Sequence, residues 1–255
     1  MRAIIKVGTS TLTHSTGALN IRRVEKMCKV ISDLKNAGND IIIVSSGAIG
    51  MGVGKLSLKE RPKDIPTKQA AAAVGQCELM YIYDQVFSSY HHTVAQILLT
   101  GDDIEDEKRK SNFRNTVNRL MELGAIPVIN ENDTVATDEI VIGDNDTLAA
   151  TVAVNMDADI LIILSDIDGL YTADPRKDPN ASLINTVISI DKSIEALADE
   201  KGSELSTGGM VTKIRAAKIA SEGKTETVIA NGEDPDILYD IFEGKPVGTR
   251  FVCEK

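Results

Sequence analysis

The chain has 255 residues, of which 42% are hydrophobic, and it carries a formal net charge of −10 at pH 7. This length and apolar content are typical of one large α/β domain, and the acidic charge argues against general binding to nucleic acid or to anionic membranes. No stretch approaches the roughly 20 apolar residues of a membrane span, and the scattered Cys28, Cys77 and Cys253 indicate a reduced, cytoplasmic protein rather than a metal knuckle.

Short apolar runs alternate with helical patterns along the chain. The predicted strands cover residues 3–7, 41–44, 93–99, 125–129, 160–164 and 228–230. The predicted helices are a first one that Asn20 caps and Gly38 ends, and others over 67–87, 111–123, 146–154 and 210–221. This alternation predicts a mainly parallel sheet with helices on both faces, a three-layer α/β/α sandwich.

A lysine interrupts the apolar first strand. Lys6 is followed by Val7-Gly8-Thr9-Ser10. A buried ammonium group is unfavourable unless it is paired, so the strand is either an edge strand whose lysine reaches water or part of an anion site. In the second interpretation Lys6 contacts a phosphate beside the backbone amides of Gly8 and Thr9, and the missing side chain of Gly8 lets the anion approach.

Glycines at positions 47, 50, 52 and 54 predict a glycine-rich turn after the second strand. The segment does not match the dinucleotide fingerprint, because its third glycine comes one residue early, and Lys55-Leu56 does not match a Walker A loop. The segment Ser45-Ser46-Gly47-Ala48-Ile49-Gly50 is therefore either a binding loop or a tight turn without a ligand. The charged loop 54–66 is either a mobile lid or a surface excursion.

Two clusters of short polar side chains follow the fourth predicted strand. They are Asn130-Glu131-Asn132-Asp133 and Gly143-Asp144-Asn145-Asp146. Turn and N-cap chemistry favours Asn and Asp for local reasons and is the alternative explanation. Because two such clusters occur together with Lys6, a binding site is the better interpretation.

The nucleotide-binding candidates lie in the last third of the chain. Gly169-Leu170-Tyr171-Thr172-Ala173-Asp174-Pro175-Arg176 follows a buried strand that ends at Ser165-Asp166, where open α/β sheets bind ligands. Thr207-Gly208-Gly209-Met210-Val211-Thr212-Lys213 is a glycine-rich entrance to a helix. Helix N-terminal amides bind phosphate and Lys213 adds a mobile charge, although a flexible loop before an amphipathic helix would look similar.

Over essentially the whole chain, these motifs resemble the amino-acid kinase family, whose members phosphorylate carboxylates, carbamate or a nucleotide phosphate with ATP. The segment after Asp168 resembles several branches of the family. The motifs at 44–49, 130–133 and 143–146 resemble the branch that converts L-glutamate to γ-glutamyl phosphate, the first step of proline biosynthesis.

The resemblance implies roles for individual residues. It implies that Ser46, Asp133 and Asn145 bind glutamate. It implies that Lys6 and Lys213 are catalytic and are held in place by Asp146, and we expect both lysines at loop edges. It places Lys6, Ser165, Asp166, Thr207, Gly208, Gly209, Met210, Val211, Thr212 and Lys213 at the nucleotide, and the Gly8 and Gly47 amides at the phosphates. The metal ligands are not assigned.

The resemblance also implies ATP and Mg²⁺, a homo-oligomer (dimer or tetramer) and feedback inhibition by proline. We expect one domain with a glutamate lobe over 1–155 and a nucleotide lobe over 156–255, without the C-terminal PUA domain that many members of that branch carry. Two alternatives stay open: another acceptor such as aspartate or uridylate, and a non-catalytic nucleotide or amino-acid sensor on the same fold.

Overall fold

A computed structural model describes residues 1–14, 18–135, 144–175, 177–199 and 209–253. These residues form eight strands and ten helices. The strands are β1 (Arg2–Val7), β2 (Asp40–Ser45), β3 (Val94–Leu99), β4 (Ile126–Glu131), β5 (Ile160–Ser165), β6 (Thr186–Val187), β7 (Glu226–Asn231) and β8 (Thr249–Phe251). The helices are α1 (Thr9–Leu12), α2 (Ile21–Asn36), α3 (Ala48–Lys55), α4 (Ile65–Ser88), α5 (Gly101–Glu105), α6 (Glu107–Glu122), α7 (Asn145–Asn155), α8 (Lys192–Asp199), α9 (Met210–Glu222) and α10 (Ile237–Phe242).

All eight strands belong to one sheet in the order β3-β4-β2-β1-β5-β7-β8-β6. The six strands from β3 to β7 in this order are parallel, and β8 pairs with β7 in the antiparallel direction. The carboxyl ends of the parallel strands therefore meet at one edge. The strand order reverses beside β1, which is the place where open α/β sheets form ligand crevices.

The two faces of the sheet are covered by separate helical layers. Alternate side chains of each central strand face opposite layers, so Ile4 packs in one core and Ile5 in the other. The first core includes residues of α6, α7 and α9, and the second includes residues of α2, α4 and α10. The predicted three-layer α/β/α sandwich is confirmed.

The structure corrects several sequence-based expectations. Residues 48–55 form helix α3 rather than a glycine-rich turn, and only Gly47, with φ +102°, adopts the left-handed conformation before it. Lys6 lies in a central strand, so the edge-strand interpretation is wrong. The short β6, β8, α5, α8 and α10 were not predicted. The Asn20 cap is confirmed, because its side chain accepts a hydrogen bond from the Arg23 amide.

Glycines bring α3 and α4 into backbone contact. A Cβ atom on Gly52 would overlap the carbonyl oxygen of Ala71, and one on Gly75 would overlap that of Ala48. Both positions therefore need glycine for the close approach. The contact fixes α4 against the segment that follows Ser46. None of the helices in the described ranges has the length and apolar character that a membrane span requires.

Candidate active site

Three charged side chains meet at the carboxyl edge of the sheet. Lys6 lies near the end of β1, Asp146 in the first turn of α7 and Lys213 in the first turn of α9. The Nζ of Lys6 is 2.7 Å from Oδ1 of Asp146, and the Nζ of Lys213 is 3.1 Å from Oδ2 of the same carboxylate. One carboxylate therefore bridges two ammonium groups that come from opposite halves of the sequence. We call these three residues the lysine–aspartate cluster.

The cluster is almost excluded from water. Relative exposures are 7% for Lys6, 1% for Asp146 and 4% for Lys213. Burial alone would raise the pKa of Asp146, but the charges of Lys6 and Lys213 outweigh it and hold the pKa below its ordinary value of 3.8. Burial, together with the charge of Lys6, lowers the pKa of Lys213 despite the partly compensating charge of Asp146. The expectation that both lysines lie at loop edges is wrong, because both are buried within regular elements.

Helix α9 also supplies a support for the carboxylate. The Oγ1 of Thr212 lies 2.7 Å from Oδ2 of Asp146 and 2.8 Å from the carbonyl oxygen of Gly209. Thr212 is one of the predicted nucleotide contacts, and its hydroxyl lies on the bridging aspartate. Met210 is buried in the core and Val211 is 40% exposed. Thr207, Gly208 and Gly143 lie outside the described residues.

The strand ends next to the cluster leave room for an anion. A Cβ atom on Gly8 would lie 3.6 Å from Nζ of Lys6, so the absent side chain opens space directly beside the ammonium group. Ser165 ends the neighbouring strand β5, and its hydroxyl is 3.1 Å from Oδ1 of Asp166. The net positive charge of two lysines and one aspartate makes this space suited to phosphate.

A chain of neutral polar side chains lies at the ends of β2 and β4. The Nδ2 of Asn145 is 2.8 Å from Oγ of Ser46, 3.1 Å from Oδ1 of Asn130 and 3.2 Å from the carbonyl oxygen of Ser45. The Nδ2 of Asn130 in turn donates to Oε1 of Gln76 on α4, at 2.9 Å. We call Gln76, Asn130, Asn145 and Ser46 the amide chain.

Two carboxylates that have no cationic partner among the described residues lie beside the amide chain. Burial raises the pKa of Asp133, and no described residue donates a hydrogen bond to its carboxylate. Burial also raises the pKa of Glu131, and the charges of Asp133 and Asp144 add to that rise. Such a group of unpaired carboxylates favours a ligand that brings a positive charge, such as an α-ammonium group.

Sequence reasoning selected most of these residues but missed two relationships. Asn130 was recognised within a polar motif, yet only its neighbour Asp133 was assigned to the substrate. Gln76 carried no signal, because it is one polar residue in an alanine-rich helix. The only available indication that Gln76 is buried was its position seven residues before the buried Tyr83. This spacing puts both residues on one face of the helix.

Comparison with known proteins places this arrangement in a family. The model of the amino acid kinase family matches residues 1–231 of the chain. The chain belongs to the amino acid kinase family. The glutamate 5-kinase of Clostridium perfringens is 51% identical over 258 residues, which covers 100% of this chain and 96% of that protein. The glutamate 5-kinase of Carboxydothermus hydrogenoformans is 51% identical over 255 residues, which covers 100% of this chain and 68% of that longer protein.

Solved structures of two other kinases share the fold. Carbamate kinase from Giardia lamblia bound to AMP-PNP superposes with a TM-score of 0.72 at 15% identity, covering 99% of this chain and 98% of that one. The isopentenyl phosphate kinase product complex of T. acidophilum superposes with a TM-score of 0.67 at 17% identity, covering 98% of this chain and 100% of that one. At these identities the likeness establishes the fold alone.

Proposed function

We propose that the chain transfers the γ-phosphoryl group of ATP to the γ-carboxylate of L-glutamate, which gives γ-glutamyl phosphate for proline biosynthesis. Full-length relatives named glutamate 5-kinase at about 50% identity support the activity. The observation that carries the mechanism is the buried cluster in which Asp146 bridges Lys6 and Lys213.

The chemistry of the acceptor explains why the site needs no general base. A γ-carboxylate has a pKa of about 4.3 and is already ionised at neutral pH. The barrier arises instead from bringing this anion to the charged phosphates of ATP. Positioning and charge stabilisation must then supply nearly all of the rate enhancement.

The lysine–aspartate cluster suits that task. Asp146 holds the two ammonium groups in fixed positions in a water-excluded setting, where a positive charge acts strongly on a developing negative charge. Lys6 and Lys213 would contact the transferred phosphoryl group, and the backbone at Gly8 would let its oxygens approach Lys6. The backbone amide of Gly47, at the neighbouring strand end, would support the phosphate oxygens, and the hydroxyl of Ser46 would face the acceptor.

Magnesium fits this site as an ion carried by the nucleotide. Asp146 is engaged by ammonium groups on both oxygens, and no group of three metal-binding side chains occurs in the part of the chain that the structure describes. Mg²⁺ usually keeps phosphate oxygens and waters as most of its ligands, and it would neutralise phosphate charge there. Asp166, whose charge acts on Lys213, would hold it from the protein side.

The acceptor and the nucleotide would occupy opposite halves of the edge. Strands β1 to β4 lie together on one side of the sheet and β5 to β8 on the other, which supports a glutamate lobe over 1–155 and a nucleotide lobe over 156–255. Asp133 and Asn145 would bind the amino-acid end of glutamate. Ser165, Asp166 and the segment from Thr207 to Lys213 would bind ATP.

The resemblance supports three further parts of this proposal: a homo-oligomer, inhibition by proline and a cytoplasmic location. Light scattering after size exclusion measures the first, and a proline titration at several glutamate concentrations measures the second. A molar mass equal to that of one chain would contradict the homo-oligomer. Turnover that proline leaves unchanged would contradict inhibition by proline.

An acceptor panel tests the proposed function. ADP formation should depend on L-glutamate, and added hydroxylamine should trap an equal amount of γ-glutamyl hydroxamate. Aspartate and uridylate serve as matched acceptors and should give little turnover. Equal turnover with either of them would assign another acceptor, and no turnover with any acceptor would favour a sensor.

A further inference from the structure

Gln76 is a buried polar residue on α4 that makes one specific contact. Its side chain is 6% exposed, and Oε1 accepts a hydrogen bond from Nδ2 of Asn130 at 2.9 Å. The other end of its amide, Nε2, is buried and has no hydrogen-bonding partner among the described residues. A buried unpaired donor is unfavourable for folding, so fold stability alone does not explain a glutamine at this position.

Backbone groups fix the direction of every hydrogen bond in the amide chain. The amide of Glu131 donates to Oδ1 of Asn130 at 2.9 Å, so that atom must be the oxygen and Nδ2 must face Gln76. Asn145 lies beside the carbonyl oxygen of Ser45, so its nitrogen faces the chain. The Oδ1 of Asn145 is then the acceptor left without a partner among the described residues, which suits an ammonium group of a ligand.

Two contacts hold the amide plane of Asn130. The Glu131 amide holds its oxygen and Gln76 holds its nitrogen, and the oxygen is then correctly placed for Asn145. Without Gln76 the two contacts to its oxygen, from Glu131 and Asn145, would remain, but no described residue would hold its nitrogen, so the Asn130 amide would be held less firmly. Asn145 would then lose an anchor, and the orientation of its free carbonyl oxygen would loosen.

Helix α4 is a rigid support for this contact. Gly75, next to Gln76, packs directly on the backbone of Ala48. Two helical turns further on, the hydroxyl of the fully buried Tyr83 lies 2.9 Å from Oγ of Ser45. Gln76 therefore projects from a helix that is fixed on both sides of it.

We propose that Gln76 is a positioning residue for the amino-acid acceptor, which acts by holding Asn130 and through it Asn145. It contacts neither substrate itself, because both ends of its amide are shielded. The inference rests on the proposed function, since it assigns the amide chain to the acceptor. It adds a residue of α4 to the determinants of acceptor affinity.

Substitutions at position 76 test the hydrogen-bond-accepting oxygen of Gln76 separately from the shape of its side chain. Gln76→Met keeps the approximate shape but removes the acceptor, so the KM for glutamate should rise about tenfold, the loss expected for one hydrogen bond. The KM for ATP and kcat should stay within about twofold. Gln76→Glu keeps an oxygen that accepts from Asn130 in either protonation state, so it should restore the glutamate KM to within about threefold of the parent.

Thr225→Val is the matched control, because it removes a buried hydrogen bond, to the carbonyl oxygen of Ala158, at the edge of the sheet opposite the amide chain. It should lower the melting temperature as Gln76→Met does, but leave the glutamate KM unchanged. If Gln76→Met does not fold, Gln76→Asn withdraws the acceptor by one methylene and should show the same split between the two KM values.

A parent-like glutamate KM in Gln76→Met would overturn the inference. So would equal defects in Gln76→Met and Gln76→Glu, or equal rises in both KM values. These outcomes are distinct from failure of the proposed function, which the parent enzyme would reveal by lacking glutamate-dependent turnover in the same assay.

Discussion

The two ends of the site are built from different kinds of interaction. At the phosphoryl end, the lysine–aspartate cluster consists of full charges that neutralise each other in part and are buried almost completely. At the acceptor end, the amide chain consists of neutral groups, and the nearby carboxylates of Asp133 and Glu131 have no cationic partner among the described residues. The charges at the phosphoryl end are already paired without substrate, and only space for a phosphate is left open. At the acceptor end the carboxylates still lack a positive charge.

This difference predicts that the two ends of the site affect different kinetic constants. Charges fixed in a dry setting act on the transition state, so changes there should lower kcat. The unpaired amide oxygen and carboxylates at the other end can bind the ammonium group of a ligand, so changes there should raise the KM for glutamate.

The largest effect is expected from Asp146→Ala. This change leaves two buried ammonium groups without their carboxylate, and removing one partner of a buried ion pair costs about 3–5 kcal/mol of unfolding free energy. Turnover should fall at least as far as in either lysine variant, because both lysines lose their anchor. Urea unfolding and kcat measure the two effects, with Asp84→Asn on the exposed face of α4 as a control that should change neither. A stable, active Asp146→Ala protein would contradict the bridging role.

Removing one lysine of the cluster should abolish most of the rate. Lys213→Ala or Lys6→Ala should lower kcat by roughly 10²- to 10³-fold, the usual loss for one preorganised stabilising group. Lys218 on the same helix is the matched control, because its ion pair with Glu195 lies at the surface. Lys218→Ala should keep kcat within about twofold, since exposed pairs contribute little. Comparable kcat losses in Lys213→Ala and Lys218→Ala would mean that the helix, not the cluster, is what matters.

Asp133→Asn should affect the acceptor alone. The change removes a negative charge that has no described partner, so the fold should tolerate it while the KM for glutamate rises by about 10- to 100-fold. The KM for ATP should change less than about twofold. Initial rates with each substrate varied in turn measure both values. Equal rises in the two KM values would make the cluster around Asp133 structural.

A smaller effect concerns protons. Burial raises the pKa of Asp133 above its ordinary 3.8, so the free protein binds a proton there more readily than an exposed aspartate does. A bound ammonium group would lower that pKa, so glutamate binding should release protons at acidic pH, and the release should fade as the pH rises. Calorimetry in buffers of different ionisation enthalpy measures the release. Proton uptake, or a release that Asp133→Asn leaves unchanged, would argue against an ammonium group at this carboxylate.

The same raised pKa fixes the sign of a stability effect. An ionised carboxylate that folding desolvates destabilises the native state, and the penalty disappears as pH falls through the folded pKa toward the unfolded one. Asp133→Asn should therefore raise the melting temperature of the unliganded protein by a few degrees at pH 8, and by less at about pH 4. A lower melting temperature at pH 8 would show that the carboxylate has a stabilising contact.

Much of this architecture could be predicted from the sequence, because its signals are local. The apolar runs of the central strands and the Asn20 cap are read directly from neighbouring residues. Helix α3 was mistaken for a turn because Gly50, Gly52 and Gly54 disfavour helix, and only the close contact with α4 explains a glycine at position 52. The two-residue β6 and three-residue β8 are too short to show a period.

The candidate site likewise contains some features that could be predicted from the sequence and others that could not. Lys6 and Asp133 stand out because their residue types are unusual in or just after an apolar strand, and Asn145 because it belongs to a second polar cluster at the start of a helix. The burial of Lys6 and Lys213 could not be predicted, because it depends on which strands and helices become neighbours in the fold. Gln76 was missed for the same reason, since its one partner, Asn130, is 54 residues away in sequence.

The most direct test combines the two ends in one protein. Kinetics of Lys213→Ala, Asp133→Asn and the double variant would show whether the lysine–aspartate cluster and the acceptor end act separately. If they do, the double variant should combine the low kcat of the first with the high glutamate KM of the second, and the losses in kcat/KM should multiply to within about twofold. If the double variant is no worse than Lys213→Ala alone, the two ends form one unit, and the proposed division between phosphoryl transfer and acceptor binding is wrong.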